Sequence, residues 1–259
     1  HRPLRQPIPP DVTDPPRPLL TAAFEEALGR CEFVVARRWA AATVRGPRGV
    51  GKTTLLEAAA PLLASDGVDV IRFGRDPYEK FGIRLVASVE SGRHVAVLAD
   101  DLDMVPAQVA HALAQIVKGV SRRDDGSPAV TCVATATDPD ALPAFFRSGS
   151  LPITLGPMTR AECDDYATLR VTRLGLAAVA LPVATRDRLF AYSAGTAGTL
   201  DRLLDVAIAE KDVRADTLVR PESVDTAAAE LGIARDRSVP AAAAEPTAVA
   251  AAEAPLPTA

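Results

Sequence analysis

Cysteine, histidine and aromatic residues are all scarce in this chain, and each scarcity closes off a class of function. Cys31, Cys132 and Cys163 lie far apart and match neither a zinc-ligand spacing nor a disulfide framework. Cys132 sits in an apolar, strand-like run, where a buried free thiol is expected. Thiols used in this way imply a reducing, cytoplasmic compartment. His1, His94 and His111 are too few and too scattered to build a metal centre. Aromatics make up 4% of the residues, which argues against a stacking platform for single-stranded nucleic acid. The formal net charge of −4 supplies no overall basic field either, so charge does not support nucleic acid as a partner. No apolar run approaches the roughly 18 residues that a membrane helix needs, and no signal-peptide pattern is present. Attachment at the inner membrane would require a partner or a segment beyond this sequence.

What remains is ordinary globular composition, 48% hydrophobic and 24% charged, with 259 residues to bury a sizeable core. Residues 1–18 contain seven prolines, including Pro9-Pro10 and Pro15-Pro16, which predicts an extended, disordered segment. Residues 237–259 are almost all Ala, Pro, Glu, Thr and Val without periodicity, as in a tail or linker. Between them, residues 19–157 alternate strand-like and helical patterns. A helix over 19–40 precedes a strand at Ala41–Arg45. The helix after it carries Leu55, Ala58, Ala59, Leu62 and Leu63 on one face, with a kink or early end expected at Pro61. Further strands are predicted at Val68–Phe73, Val95–Ala99, Ala129–Thr135 and Leu151–Leu155, with helices at Tyr78–Ser91 and around Val109–Val117. The strands then stop, and residues 158–236 read as three or four helices. Alternation of this kind predicts an α/β fold with a parallel five-stranded sheet flanked by helices, followed by a small helical lid.

The chemistry concentrates in Gly46-Pro47-Arg48-Gly49-Val50-Gly51-Lys52-Thr53, which fits G-x-x-x-x-G-K-[S/T] in full. Glycines at this spacing let successive backbone N–H groups turn inward around phosphate oxygens. The following helix adds its positive dipole end, and Thr54 falls in its first turn. Lys52 suits the β- and γ-phosphates, and the Thr53 hydroxyl suits Mg²⁺. A Gly-rich turn that binds nothing is the bland alternative. The strand before the loop and the helical face after it weigh against that.

The run Val95–Ala99 is wholly apolar and stops at Asp100-Asp101. A buried strand ending in an acidic pair is a Walker B segment: Asp100 would organise the Mg²⁺ shell and Asp101 would polarise the attacking water. Strands also end in aspartate as plain solvated turns. One strand and one helix after Lys52, however, the Walker reading is favoured. Most such enzymes carry Glu where this chain has Asp101. The missing methylene withdraws the carboxylate by about an ångström, which predicts slow hydrolysis. Thr135 and Thr137 close the fourth strand, and Thr135 is the better candidate for a γ-phosphate sensor. A threonine capping a strand or helix end is the structural alternative. Arg147, just before the fifth strand, is placed to reach a neighbouring subunit's site as an arginine finger, against the plainer reading of a solvated surface charge. The pairs Arg37-Arg38 and Arg122-Arg123 read as solvated faces.

Taken together, these segments resemble the AAA+ P-loop ATPases of the ASCE class. Within that class they are similar to the secretion-type ExeA (general secretion pathway A) branch and its transposition relatives of the TniB and MuB kind. Beyond the two Walker segments, the resemblance rests on Ile153-Thr-Leu-Gly-Pro-Met-Thr-Arg-Ala-Glu162…Tyr166 and on Tyr192-Ser-Ala-Gly195-Thr-Ala-Gly198-Thr-Leu. It implies strand order 5-1-4-3-2, binding of ATP and Mg²⁺ with ADP as product, a homo-oligomer or protein partner, and a nucleotide-dependent switch or assembly factor. The chain departs from the pattern at the second helical segment, where Gly198 stands in place of the sensor 2 arginine and Ala197 in place of a proline. Arg202 lies one helical turn further on. Asp101 and Gly198 together also admit a degenerate, non-hydrolysing nucleotide scaffold. A small-molecule P-loop kinase and a DNA-associated switch complete the alternatives.

Overall fold

Five β-strands alternate with helices through the first part of the chain, and every pairing between them is parallel. The computed structural model describes residues 21–74, 78–119, 128–176, 179–213 and 217–235. The segments expected at 1–18 and 237–259 lie outside the described residues, as does Arg122-Arg123. The strands are β1 (Ala41–Arg45), β2 (Asp69–Phe73), β3 (Val95–Ala99), β4 (Val130–Ala136) and β5 (Leu151–Thr154). They lie in the order β2-β3-β4-β1-β5, which is 5-1-4-3-2 read from the other edge.

The central strands β1, β3 and β4 are buried on both faces because helices cover both sides of the sheet. In β3, Val95, Val97 and Ala99 face one core, with Phe73, Phe81, Leu113 and Phe146. Ala96 and Leu98 face the other, with Val34, Leu55, Leu63 and Ile153. Alternation at period two therefore feeds two separate cores from one strand. The first core lies under α3 (Tyr78–Glu90), α4 (Ala107–Gly119) and α5 (Ala144–Ser148), and the second under α1 (Ala22–Ala36) and α2 (Lys52–Ser65).

Two helices differ from the sequence expectation. Helix α1 is shorter at both ends: the Thr21 side chain accepts from the Phe24 N–H to start it, and Arg38 at φ 52° leaves helical geometry to end it. Helix α2 runs through Pro61 to Ser65 instead of stopping there. Pro61 and Glu57 both lie on the exposed face, so the Glu57 carbonyl that loses its N–H partner can be hydrated.

After β5 come α6 (Arg160–Arg173), α7 (Val183–Ser193), α8 (Ala197–Val213) and α9 (Pro221–Glu230). Thr159 and Glu162 form a reciprocal capping box that starts α6. These helices enclose a third core. The predicted stripe Leu200, Leu203, Leu204, Ala207 and Ile208 is buried there with Leu189 and Val224. Arg160 pairs with Asp164 and Asp187, and Arg188 with Asp225, across the same block.

All three cysteines are buried free thiols. Burial pushes Cys31 up to about 12 and Cys163 up to about 11, well away from reactive thiolates. Among the described residues, no helix is long and apolar enough to cross a membrane.

Candidate functional site

The parallel register places the C-terminal ends of β1, β3 and β4 side by side, with Val44 opposite Thr135 and Ala99 opposite Ala134. The segments leaving those three ends converge. Gly46 to Gly51 link β1 to α2, and a Cβ at Gly46 would run into the Leu155 carbonyl. Gly49 lies at φ 80° and Gly51 at φ 108°, a region that L side chains rarely adopt. Gly51 is the N-cap of α2 and no side chain caps the helix. The first-turn N–H groups, including those of Lys52, Thr53 and Thr54, are therefore the free positive end of the helix.

Lys52 is only 5% exposed, a rare state for a lysine. Its ammonium donates to the Gly46 carbonyl at 3.0 Å, the Pro47 carbonyl at 3.2 Å and the Thr137 hydroxyl at 2.8 Å. All three ammonium protons thus find acceptors, which compensates the burial of the charge.

Beside it, Asp100 follows β3 directly. Its Oδ2 accepts from the exposed Thr53 hydroxyl at 2.7 Å, and its Oδ1 accepts from the fully buried Thr135 hydroxyl at 2.6 Å. The Thr135 oxygen in turn accepts from the Asp101 N–H at 2.7 Å. Thr135 therefore fixes both the side chain of Asp100 and the backbone after it. The residue expected to sense phosphate is engaged with the acidic pair, and the Lys52 ammonium meets Thr137 instead.

Asp101 turns the chain at φ 42° into a short 3₁₀ turn, Leu102–Met104. Partial burial holds its carboxyl above the ordinary carboxylate range. The charges of Asp100 and Asp103 add to that shift, while Lys52 and Arg48 oppose it. The same turn brings in Asp103, which the sequence reading passed over. Its Oδ2 accepts from the Thr137 N–H at 2.9 Å and the Asp138 N–H at 2.8 Å. The Asp-Asp-x-Asp spacing after an apolar strand is the signal that could have pointed to it.

The helical block touches the loop through backbone. The Gly198 N–H donates to the Gly49 carbonyl at 2.9 Å, and a Cβ on Gly198 would come to 3.3 Å from the Gly49 Cα and oxygen. At the position expected of a sensor arginine, the chain thus makes a close glycine-to-glycine contact. Arg202 is exposed on α8. Arg147 ends α5 away from this cluster: its carbonyl accepts from Arg45 at 2.6 Å, and its guanidinium reaches the Asp140 carbonyl at 3.5 Å.

The donor set suits Mg²⁺ and a triphosphate. A hydroxyl and a carboxylate, Thr53 and Asp100, offer hard oxygen ligands of the kind Mg²⁺ takes alongside phosphate oxygens. The positive-φ glycines, the uncapped helix start and Lys52 together form an anion cradle next to them. Among the described residues, no group of three or more His, Cys, Asp or Glu side chains is placed to hold a metal by itself, so phosphate oxygens would have to complete the shell around Thr53 and Asp100.

No family model matches the chain, and no curated protein matches it in sequence. Solved structures do match in fold. The Thermotoga maritima RuvB Holliday junction branch migration motor aligns with a TM-score of 0.60 at 19% identity, over 82% of this chain and 70% of that one. The Aeropyrum pernix ORC2 protein, solved as ADPNP and ADP complexes, gives 0.60 at 16% identity over 85% and 70%. Cdc6p from Pyrobaculum aerophilum gives 0.60 at 16% identity over 83% and 68%. At these identities the likeness establishes the fold alone, a parallel five-stranded sheet with flanking helices of the P-loop NTPase type.

Proposed function

We propose that this chain binds Mg²⁺-ATP on the loop Gly46–Thr53, hydrolyses it slowly to ADP and phosphate, and uses the bound nucleotide as a switch in assembling with copies of itself or with a protein partner. The observation that carries the reading is the convergence of Lys52, Thr53 and Asp100 at adjacent strand ends. In this reading Lys52 exchanges its loop carbonyls for β- and γ-phosphate oxygens. Thr53 and Asp100 hold the metal, which would supply charge neutralisation on the phosphates. Thr135 orients Asp100 from behind, and Asp101 polarises the attacking water. Its side chain is one methylene shorter than the glutamate usual at this position, which favours slow turnover. ATP is favoured over GTP because the sequence carries no Asn/Thr-Lys-x-Asp guanine-reading segment. Arg147, exposed beside the edge strand β5, suits a finger presented to a neighbouring copy.

Our placement in the ExeA, TniB and MuB-like branch rests on the residues after β5 and at the start of α8. The RuvB neighbour is a Holliday junction motor, but the net charge of −4 here offers no electrostatic reason to carry DNA over to this chain. Three buried free thiols favour a reducing compartment.

A second reading, a nucleotide-bound scaffold without turnover, is favoured by Gly198, which brings no charged side chain to the phosphates. Phosphate release with Mg²⁺-ATP, measured beside Lys52→Ala and Asp100→Asn, separates the two. Slow turnover abolished in both variants, with particle size changing on nucleotide addition, supports the switch. Tight binding without turnover in any assembly state leaves the scaffold.

A further inference from the structure

We infer that Asp103 is a positioning residue for nucleotide sensing: it clamps the turn after β4 so that the Thr137 hydroxyl is held on the Lys52 ammonium. The inference rests on the nucleotide-binding reading of Lys52. Three contacts in series carry it. One oxygen of Asp103 takes both the Thr137 and Asp138 N–H groups, at 2.9 and 2.8 Å. That grip fixes the backbone at the residue whose side chain accepts from Lys52 at 2.8 Å. Asp103 itself is aimed by the left-handed Asp101, since the 3₁₀ turn begins there and closes with the Met104 N–H on the Asp101 carbonyl at 2.9 Å.

The clamp therefore joins the turn after β3 to the turn after β4, above the sheet and next to the loop. Two N–H groups converging on one carboxylate oxygen form a stronger anchor than neutral turn contacts. The other oxygen, Oδ1, is buried and meets no hydrogen-bond partner among the described residues. A carboxylate kept half-satisfied in this way is poorly explained by solubility or by a plain turn. Once phosphate oxygens draw the Lys52 ammonium away, the fixed Thr137 hydroxyl is free to donate to a terminal phosphate that a diphosphate lacks. That fixed position would let the site distinguish triphosphate from diphosphate.

The test is the affinity of the full chain for ADP and for a slowly hydrolysed ATP analogue, both with Mg²⁺, by calorimetry. Wild type is compared with Asp103→Ala, Asp103→Asn, Thr137→Val and the double variant Asp103→Ala/Thr137→Val. The readout is the ratio of the two affinities, which a general loss of stability leaves unchanged. Thr137→Val is expected to reduce the preference for triphosphate about tenfold, and Asp103→Ala by a comparable factor. The double variant is expected to fall no further than either single one, because both act through one contact. Asp103→Asn keeps an acceptor oxygen and is expected to stay within about threefold of wild type. A multiplicative double variant, or a folded Asp103→Ala with wild-type preference, overturns the inference. Should Asp103→Ala not fold, a loss in Asp103→Asn equal to that of Thr137→Val overturns it just as well. Wild-type binding without any preference contradicts the clamp alone. A wild-type chain that binds neither nucleotide contradicts the nucleotide reading as a whole.

Discussion

The two ends of β4 use the same device for different purposes. At the start of the strand, Thr131 is fully buried, donates to the Trp39 carbonyl at 2.6 Å and meets His94 Nε2 at 3.0 Å. With its proton committed to Trp39, the Thr131 oxygen accepts from His94, which places that histidine's proton on Nε2. At the end of the strand Thr135 is equally buried, donates to Asp100 and accepts from the Asp101 N–H. Each hydroxyl ties β4 to a segment flanking β3, and each satisfies buried polar groups. The difference lies in what comes next. Beyond Thr131 there are only a backbone carbonyl and the His94 imidazole. Beyond Thr135 there is a carboxylate whose second oxygen faces the exposed Thr53, and next to it the Lys52 ammonium. A buried threonine is thus structural or functional according to its partner's remaining valence.

The sharpest break between the two ends is expected from Lys52→Ala. Phosphate release should fall roughly a thousandfold, because the charge on the transferred group loses its nearest cation. Thermal stability should fall as well, by about 1–3 kcal/mol, because the Gly46 and Pro47 carbonyls and the Thr137 hydroxyl lose their donor. Next comes Asp100→Asn, expected to slow release about a hundredfold, with nucleotide affinity measured separately to show that binding persists. The direct comparison is Thr131→Val against Thr135→Val. Each strands buried partners and should cost about 1–3 kcal/mol in urea unfolding. Only Thr135→Val should also slow turnover, by about tenfold, and equal kinetic loss in both would erase the distinction drawn here.

A smaller effect is expected from pH. The Asp101 carboxyl is held above the ordinary carboxylate range, so its basic form accumulates only as pH rises through that raised value. Turnover at saturating ATP should climb with pH across that window and level off above it, and Asp101→Asn should flatten the profile. The smallest effect belongs to Gly198→Ala. Its Cβ would press on Gly49 at 3.3 Å, for a loss of about 1 kcal/mol in stability with turnover within about threefold of wild type.

The strands were legible in the sequence because each is a short run bounded by polar turns, and the loop motif anchors β1 and α2 to either side; their order came only with the family resemblance. The acidic pair was legible for the same reason. The division of labour between Thr135 and Thr137 was not. A strand buried on both faces has no polar alternation to show which residues point at the site, and every residue of β4 is buried. Thr137 directly precedes the Asp138-Pro139 turn, and only the hydrogen bonds from its N–H and that of Asp138 to Asp103 show how that turn is fixed beside Lys52. Pro61 does not end α2, because it lies with Glu57 on the exposed face of the helix. The docking of Gly198 on Gly49 joins residues far apart in the chain through backbone alone, and no side chain announces it.

Calorimetric titration of Mg²⁺-ATP into wild type and Lys52→Ala decides whether the loop between β1 and α2 is the nucleotide seat. Wild type is expected to show one saturable site, and the variant an affinity at least about a hundredfold weaker. Equal binding by both proteins would contradict that placement and move the nucleotide away from Lys52, Thr53 and Asp100.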